Sequence, residues 1–115
     1  MMIDWNGYQR QLSEKIGQIG SISPDTVRGY RILSEAGSKV GALDAKTHEL
    51  IALAVAVSLR CDGCITTHTS AAVKLGATHE EIIEALGVAI SVNAGAALVY
   101  SARVMDSIAA KSSTT

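Results

Sequence analysis

Ten residues from Leu50 to Leu59, Leu-Ile-Ala-Leu-Ala-Val-Ala-Val-Ser-Leu, are apolar on every side of any helix they form. No other feature restricts the fold as much, because such a segment has to be covered all round. Periodicity alone also admits a buried strand. The alanine content, and the capping residue Asp44 just upstream, favour a helix. Composition limits how the rest of the chain can supply the cover. It is 48% hydrophobic but only 3% aromatic, with one Trp, three Tyr and no Phe. A core of Ala, Val, Ile and Leu brings helix backbones close together, and a single Pro leaves helices uninterrupted. At 115 residues the chain has the length of one domain. The expected fold is all-α, a single-domain bundle of about five to six helices over residues 1–115.

The helices are read in order from spacing and punctuation. Trp5, Tyr8, Leu12, Ile16 and Ile19 recur at three- and four-residue steps and predict an amphipathic helix from Asp4 to Gly20. Ser23 is a good N-cap and Pro24 suits a first helical position. A second helix is therefore expected to reach Ala36, with Gly37 as its left-handed terminator. After a connection over Val40–Leu43, Asp44 caps a third helix from Ala45 to Leu59. The segment Arg60-Cys61-Asp62-Gly63-Cys64 breaks the run, and a fourth helix follows to Leu75, ended by Gly76. Thr78 and Glu81 form a capping box for a fifth helix, with Ile82, Ile83, Leu86, Ala89 and Ile90 inward. A break is expected at Asn93-Ala94-Gly95. The last helix then reaches Ala110 on a stripe of Leu98, Ala102, Met105 and Ala109, and Lys111–Thr115 is read as a polar, frayed tail.

Charge excludes more than it suggests. Ten Lys/Arg against eleven Asp/Glu give a formal net charge of −1, with no basic run and no acidic tail. That argues against nucleic acid or an anionic membrane as partner. Met1-Met2-Ile3-Asp4-Trp5-Asn6 has neither a basic n-region nor an apolar h-region, so no secretory signal is read there. The longest apolar run is about half of a membrane span. A cytoplasmic protein is expected. In that compartment two cysteines point to catalysis or metal binding before they point to a structural staple.

Those cysteines carry the chemistry. Cys61 and Cys64 stand three apart at a helix start, where they can close a small-loop disulfide, and His68 lies four beyond Cys64 on the adjacent turn. Unsatisfied N–H groups at the helix N-terminus and a neighbouring imidazole both favour the thiolate. A thiolate with a second thiol at this spacing is the minimal set for two-electron redox chemistry. One sulfur attacks an oxidant and the other resolves the product as a disulfide. A structural zinc site needs about four ligands. His48 or His79 would have to complete it, the usual second Cys/His pair is missing, and no metal is expected. Two inert core cysteines are the plainer alternative, against which the adjacent Gly63 and the helix start speak.

Other polar residues have simpler roles open to them. Glu49 has the alternative role of a first-turn acid that stabilises its own helix N-terminus. His48, about 100° round the helix from it, reads as a surface or interface residue, and His79 as exposed. Lys46 and Arg60 read as solvated ends. Tyr30 and Tyr100 read as core or interface packing.

Three stretches together resemble the AhpD-like alkylhydroperoxidase branch of the carboxymuconolactone decarboxylase superfamily. They are Leu43-Asp44-Ala45-Lys46-Thr47-His48-Glu49-Leu50, Cys61-Asp62-Gly63-Cys64-Ile65-Thr66-Thr67-His68 and Gly76-Ala77-Thr78-His79-Glu80-Glu81-Ile82. The resemblance covers residues 41–105, and a Glu at this distance before Cys-x-x-Cys-x-x-x-His is its most specific element. It implies an all-α fold assembled as a homo-oligomer, a trimer or a hexamer built from dimers. It further implies that Cys64 is the thiolate that meets a peroxide and that Cys61 resolves the sulfenic acid to a disulfide. His68 and Glu49 would form a proton relay, partly through water. No bound cofactor is implied, and a thiol or lipoyl-type dithiol reduces the disulfide. The residue before the second cysteine, often His or Tyr in relatives, is Gly63 here, so any contact made by that side chain is absent.

Helix geometry independently favours Cys64 as the activated thiol, since His68 is one turn from it and not from Cys61. Glu49 is harder to place. It lies roughly 15 Å before the end of its helix, so a simple antiparallel hairpin sets it opposite the end of the fourth helix and not opposite His68. A steep crossing or a neighbouring subunit is needed. The expected function is a thiol-dependent peroxidase acting on hydrogen peroxide or organic hydroperoxides. The competing readings are a dithiol–disulfide adaptor without direct peroxidase activity, and a non-redox lactone decarboxylase-like enzyme or oligomeric scaffold. Small apolar residues concentrate in Leu50–Leu59 and around Gly95, and one chain of this size has trouble covering two such helices on every side. An oligomer is expected.

Overall fold

The apolar run is helical, as its alanines and its cap predict. In a computed structural model, which describes residues 1–112, it forms the second half of α3 (Ala45–Leu59). Before it come α1 (Trp5–Ile22) and α2 (Pro24–Ala36), the latter followed by a 3₁₀ turn over Gly37–Val40. After it come α4 (Asp62–Lys74) and α5 (His79–Ser112). No strand occurs among the described residues. The central helix α3 packs against α4 on one side and α5 on another, while α1 packs on α2 and on α4. Leu53 and Ala56 of α3, Ala72 of α4 and Ala89 of α5 are the buried apolar residues, joined by Thr66 of α4. Three of these four are alanine, so the helices meet nearly backbone to backbone.

Local chemistry sets the ends. The Asp4 carboxylate accepts the Gly7 N–H at 3.1 Å and the Asp44 carboxylate accepts the Thr47 N–H at 2.8 Å, each satisfying a donor that the first helical turn leaves free. Thr78 and Glu81 close the expected capping box. The Thr78 N–H donates to the Glu81 carboxylate at 2.9 Å, and the Glu81 N–H donates to the Thr78 hydroxyl at 3.1 Å. The helices α3 and α4 end alike. In α3, Arg60 takes the left-handed conformation (φ 55°) and the Cys61 N–H reaches back to the Ala56 carbonyl at 3.1 Å. In α4, Gly76 (φ 80°) and the Ala77 N–H on the Ala72 carbonyl at 3.0 Å repeat the pattern.

Four sequence expectations are corrected here. Asn93-Ala94-Gly95 does not break the chain, and α5 is one continuous helix. Asn93 turns its amide inward to the helix, donating to the Ala89 carbonyl at 2.7 Å and to the Ser58 hydroxyl of α3 at 2.8 Å. Its amide is thus satisfied without a break in the helix, and no Pro forces a stop. Gly37 is right-handed (φ −61°), because the 3₁₀ turn carries the chain on and Gly41 (φ 74°) takes the left-handed position instead. Ser23 precedes α2 without capping it, since its hydroxyl bonds the Thr26 hydroxyl at 2.6 Å. Lys111 and Ser112 belong to α5, and the remainder of the expected tail lies outside the described residues.

An unbroken α5 also changes the hydropathy reading. Uncharged from Ala85 to Ala102, it is long and apolar enough to cross a membrane by length and composition, and little of that stretch is covered by the chain. A helix enclosed by other protein meets the same test. Coverage is poor elsewhere too. The radius of gyration is 19.4 Å, against about 13 Å for a compact chain of this length. The accessible surface is 8998 Å², against about 6,000 Å² for a compact monomer of this mass. Even α3 leaves Ile51, Val55 and Leu59 exposed.

Candidate active site

The two cysteines sit where α3 hands over to α4. Cys61 is the N-cap of α4, in an extended conformation, and its sulfur accepts the Cys64 N–H at 3.2 Å. A sulfur thus occupies the position that an oxygen fills in an ordinary cap, facing the positive end of the helix. The Cys61 and Cys64 sulfurs are paired as a disulfide, with a Cα–Cα separation of 5.3 Å, inside the range that this bond requires. Both residues are half-buried.

One turn further along α4, His68 Nδ1 and Glu49 Oε2 lie 2.7 Å apart. Nineteen residues separate the two in sequence, and both belong to the same chain. The crossing of α3 and α4 brings them together without help from a second subunit. Glu49 is therefore aimed at His68, and its role is not confined to its own helix end. The His68 and Glu49 side chains are 30% and 22% exposed, so water screens the contact only partly. A carboxylate on Nδ1 orients the ring and leaves Nε2 to other partners. Cys64 and His68, four apart on one helix, occupy adjacent turns of a single face. The four candidate residues thus form a row: Cys61, Cys64, His68, Glu49.

The other polar candidates disperse. Among the described residues, no three His, Cys, Asp or Glu side chains converge in a way that could hold a metal ion. His48 is half-buried near the start of α3 and His79 is exposed at the start of α5. Lys46 is not merely a solvated end. Its ammonium donates to Glu81 Oε2 at 2.7 Å and ties the start of α3 to the start of α5. That hydrogen bond, and then the Thr78 N–H, hold the Glu81 carboxyl below the usual carboxylate range. The same hydrogen bond raises the Lys46 ammonium above the usual lysine value. Tyr30 and Tyr100 are 67% exposed and pack in no core of this chain; the Arg103 guanidinium lies 4.9 Å from the Tyr100 ring centroid.

Sequence reasoning missed two contacts. Glu81 was legible as a cap, but nothing local marks Lys46 as its partner. Leu12 of α1 was read only as one member of a stripe. In the structure it lies against Gly63, between the cysteines, so closely that a Cβ added there would stand 2.7 Å from Leu12 Cδ2. Gly63 itself, a residue without a side chain inside the motif, was the available signal.

Comparison with known proteins identifies relatives of this chain. The model of the carboxymuconolactone decarboxylase family matches residues 24–107, reaching further toward the N-terminus than the motifs alone. An uncharacterized protein of Haemophilus influenzae is 41% identical over 106 residues, 92% of this chain and 94% of that one. A Paracoccus denitrificans protein named uncharacterized protein 4 in cox locus is 36% identical over 93 residues, 81% of this chain and 84% of its own. The crystal structure of an apo carboxymuconolactone decarboxylase family protein from Legionella pneumophila superposes with a TM-score of 0.73. It is 39% identical and covers 85% of this chain and 88% of its own. A protein from Methanobacterium thermoautotrophicum gives a TM-score of 0.70 at 28% identity, covering 77% of this chain and 97% of its own. By its family-model match, its relatives and its helical fold, the chain belongs to the carboxymuconolactone decarboxylase family.

Proposed function

We propose that this protein is a thiol-dependent peroxidase of the AhpD-like type, cycling Cys61 and Cys64 between dithiol and disulfide. The observation that carries the reading is the placement of the His68–Glu49 pair one turn beyond a bonded Cys61–Cys64 pair at a helix N-terminus. The Cys64 thiol gives its proton toward His68, whose imidazolium the Glu49 carboxylate stabilises. The Cys64 thiolate attacks the terminal oxygen of a hydroperoxide. The O–O bond breaks, sulfur gains the hydroxyl as a sulfenic acid, and the departing alkoxide takes up a proton. The Cys61 sulfur then attacks Cys64, the S–S bond forms, and water leaves. An external thiol or lipoyl-type dithiol returns two electrons and two protons to the pair. No bound cofactor enters this cycle.

A cytoplasmic setting suits it, since the cycle depends on reductants that such a compartment supplies. The working unit is proposed to be a homo-oligomer, a trimer or hexamer. Support comes from an accessible surface about half as large again as a compact monomer would have.

Mass spectrometry of the native, reduced protein before and after one equivalent of peroxide tests the proposal. A loss of two hydrogens mapped to Cys61 and Cys64, absent in Cys64→Ser, is the expected result. Unchanged peroxide turnover in Cys64→Ser would overturn it. Fast disulfide exchange with a negligible peroxide step would make the protein a dithiol–disulfide adaptor instead.

A further inference from the structure

Gly63 stands between two cysteines, and the space above it is filled by a different helix. A Cβ on residue 63 would come within 2.7 Å of Leu12 Cδ2 and 3.9 Å of Leu12 Cγ. Real Cβ atoms do not approach that closely, so the Leu12 side chain fills this space and has to turn aside for any side chain at position 63. The level at which α1 is covered coincides with the cysteines. Gly7 is buried, and Trp5, Tyr8 and Leu12 are half-buried, while Ile16 and Ile19 further along the same stripe are 43% and 47% exposed. The helix α1 thus sets Leu12 against the start of α4 while it also packs on α2. Cys61, Gly63 and Cys64 are all half-buried.

We propose that Leu12 is a specificity-determining residue for this site: it covers the motif at Gly63 and restricts the approach of bulky thiols to the Cys61–Cys64 disulfide. The inference rests on the reading of the pair as a dithiol/disulfide cycle. The step it governs is reduction. One thiolate of an external dithiol attacks a sulfur of the pair, the protein S–S bond breaks and a mixed disulfide forms. The second thiol of the reductant then displaces the remaining protein sulfur. The reductant leaves as a cyclic disulfide, and two electrons and two protons remain on Cys61 and Cys64. Exchange rates depend on access as well as on thiolate content, so a side chain placed over the motif selects among reductants by size without touching the electronics.

The test measures reduction of the oxidised full-length protein by dithiothreitol and by a peptide carrying a dihydrolipoyl-lysine, with free thiols counted after alkylation. Leu12→Ala is expected to raise the rate with the lipoyl peptide, relative to dithiothreitol, by roughly threefold or more. Adding Gly63→Ala to Leu12→Ala puts a methyl into the vacated space and is expected to return the ratio toward that of the unaltered protein. If Leu12→Ala loses helix content, Leu12→Val, which keeps a shorter branched side chain, carries the comparison. A ratio unchanged in the folded variant, with the unaltered pair still cycling, overturns the role of Leu12 alone. A pair that neither forms nor loses its disulfide in the unaltered protein overturns the redox reading itself, and this inference with it.

Discussion

The α3–α4 seam and the outer half of α5 are built from the same small apolar residues and end differently. In the seam, Leu53, Ala56 and Ala72 are buried, and the crossing of the two helices sets Glu49 against His68. Along α5, Leu98, Val99, Val104 and Met105 are 60% exposed or more. Composition states that a surface has to be covered, but not by what. The seam finds its cover nearby in sequence, Glu49 meeting His68 nineteen residues on across one tight turn. Among the described residues the outer half of α5 keeps these side chains in contact with solvent.

Substitutions that treat the two regions alike sharpen the contrast. The largest effect is expected at the seam's polar pair. His68→Ala should slow the reaction of the reduced protein with peroxide by about 10²–10⁴-fold, read by stopped flow, with Glu49→Gln slowing it less. A Glu49→Gln variant as fast as the unaltered protein would leave that pair a purely structural one. Next comes packing. Leu53→Ala, at 4% exposure, is expected to cost about 2–5 kcal/mol in chemical denaturation. Leu98→Ala, at 77% exposure, should cost no more than about 0.5 kcal/mol if the chain works alone. A larger loss that grows on dilution would mark a second copy against α5. Leu98→Asp should then shift the species seen by size exclusion with light scattering toward the monomer, while leaving the Cys61–Cys64 disulfide able to form.

The smallest effect is electrostatic and lies at the joint between the two regions. Glu81 has a depressed folded value, so its contribution to stability is present above the unfolded carboxylate value and is lost as pH falls through the depressed one. Lys46, raised, contributes below the ordinary lysine value and loses that contribution as pH rises through its folded one. Both groups are partly solvated, which keeps the effect small. Lys46→Met should flatten the acid limb of the melting temperature against pH, and an unaltered limb would mean that the ion pair does not contribute.

How much of this was legible depended on range. The bounds of α3 were readable because Asp44 caps one end and the apolar run stops at Arg60, all within a single segment. The Thr78–Glu81 box was readable for the same reason. The Cys61, Cys64 and His68 row follows from spacing on one helix. Glu49 was a candidate by resemblance, but its contact with His68 depends on how two helices cross, and residue spacing carries no crossing angle. Asn93-Ala94-Gly95 misled because Asn and Gly are common breakers, whereas the Asn93 amide finds Ser58 on another helix. Leu12 against Gly63 is likewise a tertiary fact.

Arg60 has a consequence for anyone who engineers this protein. It is the one non-glycine residue with a positive φ among the described residues, and it stands immediately before the Cys61–Cys64 pair. Holding a side chain in that conformation costs on the order of 1 kcal/mol. A search for thermostable variants will therefore find glycine at position 60 attractive, by the same logic that places Gly76 at the end of α4. Glycine there also loosens the backbone that presents Cys61 to Cys64. Position 60 is thus a place where a gain in robustness and a firmly held Cys61–Cys64 pair pull apart.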